Sequence, residues 1–373
     1  MTSRLQAARA DRGWSQTQLI AALVARAREQ GVALPGLTSL KAMVSRWENG
    51  KTKPDALYAR LLRELYGLGD SDLGFNGRAA DVPAVETAND ELVRLLDAAK
   101  AATPDAVTVL QQQTDSFRIL DRSLGAPALL EQMRGHVGML SALLRDGVTA
   151  AQRQPIAAVL ADAAALAGWQ ALDVGAAAQA WQHFETAKAA AREAGDPGLL
   201  AHATAEQAYV LMDLDRPGDA ADLIAEARRP AKRLPSLTSC WLSAAEGEAH
   251  AHLGDELRAL RAFDTAHRLL GSGTADGAPY VVVDEGHLLR WRGNVLARLG
   301  HQEAFDCLTA ALGAMDASFR RAASSLHCDL ALSSLARGDR DTAAVHATTF
   351  RSLARQVGSV RQLKRLERVH PVV

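Results

Sequence analysis

Four stretches of the chain set small and large apolar residues in the same order. AWQHFETA (180–187), AADLIAEA (220–227), ALRAFDTA (259–266) and AFDCLTAA (304–311) each carry Ala, a large apolar residue four positions on, and Ala three beyond that. A looser fifth copy starts at Ala343, so the first alanines fall 40, 39, 45 and 39 residues apart. Steps of three and four put these residues on one helix face. Small residues there let a second helix approach closely. Gly247 and Gly293 each lie seven residues before a further glycine, Gly254 and Gly300, that supplies a turn. Gly218-Asp219, Gly254-Asp255 and Gly338-Asp339 read as turns, and Asp196-Pro197 reads as an N-cap and first helical residue. The pattern predicts helical hairpins stacked into a superhelix with a concave face over roughly 160–355, with one degenerate hairpin before it.

Residues 4–66 carry a different texture of shorter amphipathic segments. Arg4–Arg12 stops at Gly13; SQTQLIAALVARAREQ is capped by Ser15 and ends at Gly31; SLKAMVSRWENG closes on Asn49-Gly50; DALYARLLRELYG follows Pro54. From Gly67 to Thr87 four glycines and a proline interrupt any period, which marks a boundary. Thr103-Pro104-Asp105 then starts a helix with the stripe Val107, Leu110, Thr114, Phe117 and Leu120, and PALLEQMRGHVGMLSALL follows Gly125. The predicted fold class is all-α: a helical head over 1–68, a linker over 69–88 and an α-solenoid over 89–373.

Composition agrees, with abundant Ala and only 5% aromatic residues. Net charge is −1, yet residues 1–78 hold twelve Lys/Arg against seven Asp/Glu, so a basic head precedes an acidic body. That division suits a head that meets a polyanion. Cys240, Cys307 and Cys328 are too scattered for a disulfide framework or a zinc site. The start MTSRLQAARADRGW has no apolar core of a signal peptide, and the alanine-rich run 161–181 carries Asp162, Asp173 and Gln179, as a packing helix pair does. The expectation is a cytoplasmic protein without a membrane partner.

Other chemistry is thin. GSGTADG (271–277) follows a repeat helix rather than a strand and reads as a loop. His250 and His252 are two apart on a helix and point to different faces, so no metal is expected. The basic closing segment VRQLKRLERVH reads as a solvated face. No cofactor motif and no enzymatic constellation stands out.

Two family resemblances extend this reading. AAEGEAHAHLGDELRALRAFDTAHRLL (244–270), through Gly247, Ala251, Gly254, Ala259, Phe263 and Ala266, resembles the tetratricopeptide repeat. RADRGWSQTQL (9–19) with the Ser45–Gly50 close resembles the helix-turn-helix domain of phage-repressor-like (Xre-type) transcription regulators. A repressor-like head on a repeat body resembles bacterial regulators that sense signalling peptides, and the Ala, Arg and Gly usage is in the style of an actinomycete. The resemblance implies a homodimer on double-stranded DNA, with the body sensing a peptide or small molecule. Lys41, Ala42, Ser45 and Arg46 would face the major groove, and Gln16, Asn49 and Lys51 would contact phosphates. Val44 and Trp47 would be core, and Arg9–Glu48 a structural ion pair. Arg26 and Arg28 read as a solvated face. Ser15 and Trp47 lie 32 residues apart, farther than in the family, so the turn between the two helices is expected to depart from the tight form. In the repeat phase, the first helices would present Trp169, Tyr209, Glu248 and Asn294 to the concave groove, with Asp173, Asp213, Arg290 and Arg298 beside them. The alternative is a repeat-type adaptor for a protein partner, without sequence-specific DNA binding.

Overall fold

The computed structural model describes residues 3–30, 32, 34–75, 88–100, 102–229, 234–272, 281 and 283–369. The chain is all-α, an N-terminal helical bundle followed by an α-solenoid of tetratricopeptide-like hairpins, and divides into two compact units, Met1–Asn89 and Asp90–Val373. The loop motif at 271–277 lies outside the described residues from position 273 on.

The first unit holds α1 (Arg4–Asp11), α2 (Gln16–Glu29), α3 (Leu37–Glu48) and α4 (Ala56–Tyr66). Ser3 caps α1, Ser15 and Gln18 form a reciprocal capping box on α2, and Asp55 caps α4. The apolar stripes meet in one core of Leu19, Leu23, Leu40, Val44, Leu61 and Leu62. Trp47 is buried and packs on Tyr58 with ring centroids 4.9 Å apart. The extra residues between Ser15 and Trp47 go into a 14-residue α2, a 12-residue α3 and the connection between them.

The segment expected to open the linker at 69 belongs in part to this unit. Leu73 is buried in its core and Phe75 packs against it. The Arg4 guanidinium donates to the Ser71 carbonyl at 2.6 Å, and Arg63 pairs with Asp70 at 2.9 Å. Turns built on glycine carry no helical period, which is why the sequence pattern missed them. Residues 76–87 of the expected linker lie outside the described residues.

In the second unit α5 (Ala88–Lys100), α6 (Pro104–Leu124) and α7 (Leu130–Asp146) precede five hairpins. These are α8 (Ala150–Asp173) with α9 (Ala177–Ala194), α10 (Pro197–Asp213) with α11 (Pro217–Ala227), and α12 (Ser236–His252) with α13 (Glu256–Ser272). Next come α14 (Glu285–Arg298) with α15 (Ala304–Ala314), α16 (Arg320–Ala336) with α17 (Arg340–Gln356), and then α18 (Val360–Val369). First helices stack on first helices from α8 to α18.

The five repeated alanines, 180, 220, 259, 304 and 343, are 0% exposed, all on second helices. Opposite them the first helices carry glycine where contact is closest. A Cβ on Gly168 would meet the Phe184 ring at 2.8 Å, one on Gly247 would meet Phe263 at 2.5 Å, and one on Gly293 would meet Leu308 at 2.7 Å. The large residue of each repeat therefore fills the space a side chain would take, and adding one overpacks the hairpin. Gly218-Asp219 is not a turn: both residues sit in the first turn of α11, and the bend lies at Asp215, whose φ is 60°.

Helix α8 is long and apolar enough to cross a membrane, yet most of it is buried against the neighbouring helices. It bears out the reading of the alanine-rich run as packing helices.

The solenoid closes on itself. Helix α16 reaches α6, and α18 reaches α8. Arg321 of α16 pairs with Asp121 of α6 and donates to Asp173 of α8 at 3.3 Å, while the Ser359 hydroxyl donates to Asp173 at 2.5 Å. The turns after α6 and α17 interlock: a Cβ on Gly125 would lie 2.0 Å from the Val357 carbonyl oxygen, and one on Gly358 would lie 2.7 Å from Pro127.

Candidate functional sites: an exposed cationic helix and a lined cavity

Helix α3 buries one face and exposes the other. Leu40, Val44, Trp47 and Glu48 point inward. Lys41, Ala42 and Arg46 are exposed, Ser45 is half-buried, and Asn49 and Lys51 are exposed just beyond the helix. Glu48 is the only acid in α3, and it is 2% exposed. It accepts from Arg9 Nε at 2.5 Å and Nη2 at 3.0 Å, and from Gln16 Nε2 at 2.8 Å. Turning that acid inward leaves an outer face with cations and no carboxylate of its own helix. Gln16, expected at a phosphate, is half-buried and held by Glu48 through its amide nitrogen. Asn49 donates to the Ser45 carbonyl at 2.7 Å and so closes the C-terminus of α3. Arg26 is paired with Glu29 and Glu64, and Arg28 is exposed.

The repeat unit holds a partly open cavity of about 420 Å³. All eight residues expected in the groove line it: Trp169, Asp173, Tyr209, Asp213, Glu248, Arg290, Asn294 and Arg298. Trp169 meets Tyr209 edge-on with centroids 5.6 Å apart, and the Tyr209 hydroxyl donates to Glu248 Oε2 at 2.9 Å. Burial and that carboxylate raise the Tyr209 pKa well above its ordinary value. Asn294 Nδ2 donates to Asp329 Oδ2 at 2.8 Å, which leaves its own Oδ1 without a partner.

The basic closing segment is not a solvated face. Helix α18 turns Arg361 and Arg365 into the cavity wall. Arg361 makes a two-pronged pair with Asp213, at 2.7 and 3.0 Å, and lies 5.2 Å from the Trp169 ring. Arg365 pairs with Asp329 and donates to Ser325 Oγ at 2.7 Å. The reason lies outside α18: its acidic partners are more than thirty residues away in sequence on three first helices, α10, α16 and, through Ser359, α8.

Other lining residues were legible but passed over. His202 and Glu206 precede Tyr209 by seven and three, Trp241 precedes Glu248 by seven, and His287 and Trp291 precede Asn294 by seven and three. Helical spacing puts each on the face already identified. Arg118, Arg122 and Phe319 also line the cavity and carried no such signal.

His202 Nε2 lies 3.7 Å from Glu206 Oε1. Burial pushes His202 down to about 3, and burial pushes Glu206 up to about 8 against the pull of Arg118. Both are therefore neutral at pH 7. Between the ordinary glutamate value and about 8 the folded chain keeps a proton that the unfolded chain has lost. Stability then falls as pH rises through that window, by about 1 kcal/mol per pH unit. Glu206→Gln should remove this slope in urea unfolding between pH 5.5 and 7.5; equal slopes in both proteins would mean that Glu206 is ionised in the fold.

No family model and no curated protein matches the chain. Among solved structures it is similar to one described as the crystal structure of a Rap protein complexed with competence and sporulation factor. The two share 13% identity with a TM-score of 0.45, over 93% of this chain and 97% of that one.

Proposed function

We propose that the chain is a DNA-binding transcription regulator whose repeat unit senses an effector, a peptide or small molecule, and forms a homodimer. The observation that carries the DNA-binding half is the build of α3: Lys41, Ala42 and Arg46 are exposed on one face while its only acid is locked inward on Arg9 and Gln16. An exposed α-helix with cationic and small side chains fits a major groove, where Arg46 can make a two-pronged contact to guanine. Lys51, Asn49 and Gln16, whose Nε2 keeps a second hydrogen beside the one given to Glu48, flank it as phosphate-level contacts. The sensing reading rests on the cavity with its aromatic and charged lining. The dimer is supported by exposed apolar residues on α5 and α6, Leu92, Val93, Val109 and Ile119. A monomer throughout sedimentation equilibrium would remove it.

Arg46→Ala should weaken binding to an operator, mapped genome-wide beforehand, by about 1–3 kcal/mol, roughly five- to 150-fold. Unchanged affinity in both Arg46→Ala and Lys41→Ala would show that α3 is not the reading helix.

A second reading, an adaptor that holds a protein partner without specific DNA binding, is favoured by the long connection between α2 and α3, which departs from a tight helix-turn-helix. The two readings part on salt. A DNA reader loses affinity for a mixed genomic pool with a slope of about −0.9 per phosphate contacted, and the adaptor shows no such affinity to lose.

A further inference from the structure

Among the described residues the cavity wall carries eight Lys/Arg against four Asp/Glu. The acids are accounted for. Asp173 is held by Arg321 and Ser359, Asp213 by Arg361, and Glu248 accepts from Tyr209. Burial keeps Glu206 protonated at neutral pH. Lys364 is exposed, and two of the arginines are not accounted for. Arg290 lies 5.4 Å from the Trp291 ring and Arg122 lies 4.7 Å from Phe319, and among the described residues neither guanidinium has a hydrogen bond or an ion pair. Arg290 Nε is buried without an acceptor, and Glu248 and Asp329, the acids whose fields it feels, lie beyond ion-pair distance. Burial lowers the pKa of both arginines, as expected for guanidiniums that lack an anion.

Aromatic rings connect these two cations. Phe319 packs edge-on against His287 at 5.1 Å, and Trp291 against Trp241 at 6.3 Å. His287, Arg290, Trp291 and Asn294 follow one another at helical spacing on a single face of α14. The floor of the cavity is thus a band of rings with a bare guanidinium stacked at two points. Leaving Arg290 Nε buried without an acceptor is unfavourable, and a ligand that brings one removes the penalty; Arg122 is half-buried beside the same band. About 420 Å³ lies in the range of small-molecule sites.

We infer that the cavity takes a compact aromatic molecule with an anionic group, its ring system on Trp241 and Trp291 and its anion on Arg290 or Arg122. This rests on the effector-sensing reading of the repeat unit and names the effector's chemistry. Carboxylates and phosphate esters share that chemistry.

The test uses the full chain and two probes with one ring skeleton, 8-anilinonaphthalene-1-sulfonate and the neutral N-phenyl-1-naphthylamine, read by fluorescence. The sulfonate should bind one site per chain at least tenfold more tightly than the neutral probe. Arg290→Gln or Arg122→Gln should erase that preference and leave the neutral probe unchanged, while Arg290→Lys, which keeps the charge, retains part of it. Indole-3-acetate and adenosine monophosphate as competitors then distinguish a carboxylate from a phosphate. Equal binding of the two probes, or a preference untouched in both glutamine variants, overturns the inference. So does displacement of the probes by a pool of end-blocked pentapeptides but by neither small anion; in that case the cavity is a peptide site and effector sensing stands. If no probe, acid or peptide binds, the inference and the sensing reading both fall.

Discussion

Arg321→Ala is expected to destabilise the repeat unit by about 3–5 kcal/mol, more than any other single replacement on its inner surface. Arg321 reaches two carboxylates, Asp121 and Asp173, each with a side chain 2% exposed. The guanidinium is itself well buried, and the two acids raise its pKa against the pull of desolvation. Removing it leaves two buried negative charges; Asp173 keeps the Ser359 hydroxyl, but Asp121 already has one oxygen without a partner. The loss is read as a lower urea midpoint, with hydrogen exchange following α6, α8 and α16. The charge argument has its own control: adding Asp121→Asn and Asp173→Asn to an Arg321→Met background should recover most of the loss. A change below about 1 kcal/mol in the single variant would mean that water or a rearranged side chain replaces the guanidinium, and that the closure of the solenoid does not depend on it.

In the N-terminal unit, Glu48→Ala is expected to remove about 3 kcal/mol. Glu48 is 2% exposed and accepts three charge-assisted or amide hydrogen bonds that tie α3 to α1 and α2. Arg9 is part-buried, so its unpaired guanidinium recovers some hydration, which keeps the figure at the low end. A unit of this size commands only several kcal/mol in all. The variant should therefore be partly unfolded near 37 °C and lose the DNA binding proposed above without any contact to DNA. The double replacement Arg9→Met with Glu48→Met should be far milder, because it leaves no buried charge. If Glu48→Ala keeps its midpoint but still loses DNA, Glu48 acts at the DNA and not as the brace described above.

The division of the molecule into local and distant information explains what was legible in the sequence. Gly247 facing Phe263 and Ala259 beside it are a matter of helical phase, so the hairpins could be read from spacing alone. The same phase placed Trp169, Tyr209, Glu248 and Asn294 on one wall. It could not say that Asp213 is neutralised by Arg361, 148 residues on, or that Arg321 spans 200 residues to Asp121. Pairs at such separations leave no period. α18 was misread for that reason: taken alone it is a basic amphipathic helix, and its partners lie on helices read separately. The glycine-rich turns at 69–75 failed differently, because their order comes from Leu73 and a few backbone contacts.

A linear stack of repeats can nucleate anywhere and fray from either end. Here contacts between Arg321 and Asp121, Ser359 and Asp173, and Arg361 and Asp213 join segments 148 to 200 residues apart. Contacts so distant in sequence form late and make folding slow. During synthesis, the hairpins from α8 to α15 can assemble as they emerge, but the chamber has no far wall until α16 and α18 have been made. The cavity is therefore formed only once α18 has been made: a nascent chain truncated before residue 359 would hold folded repeats without that wall.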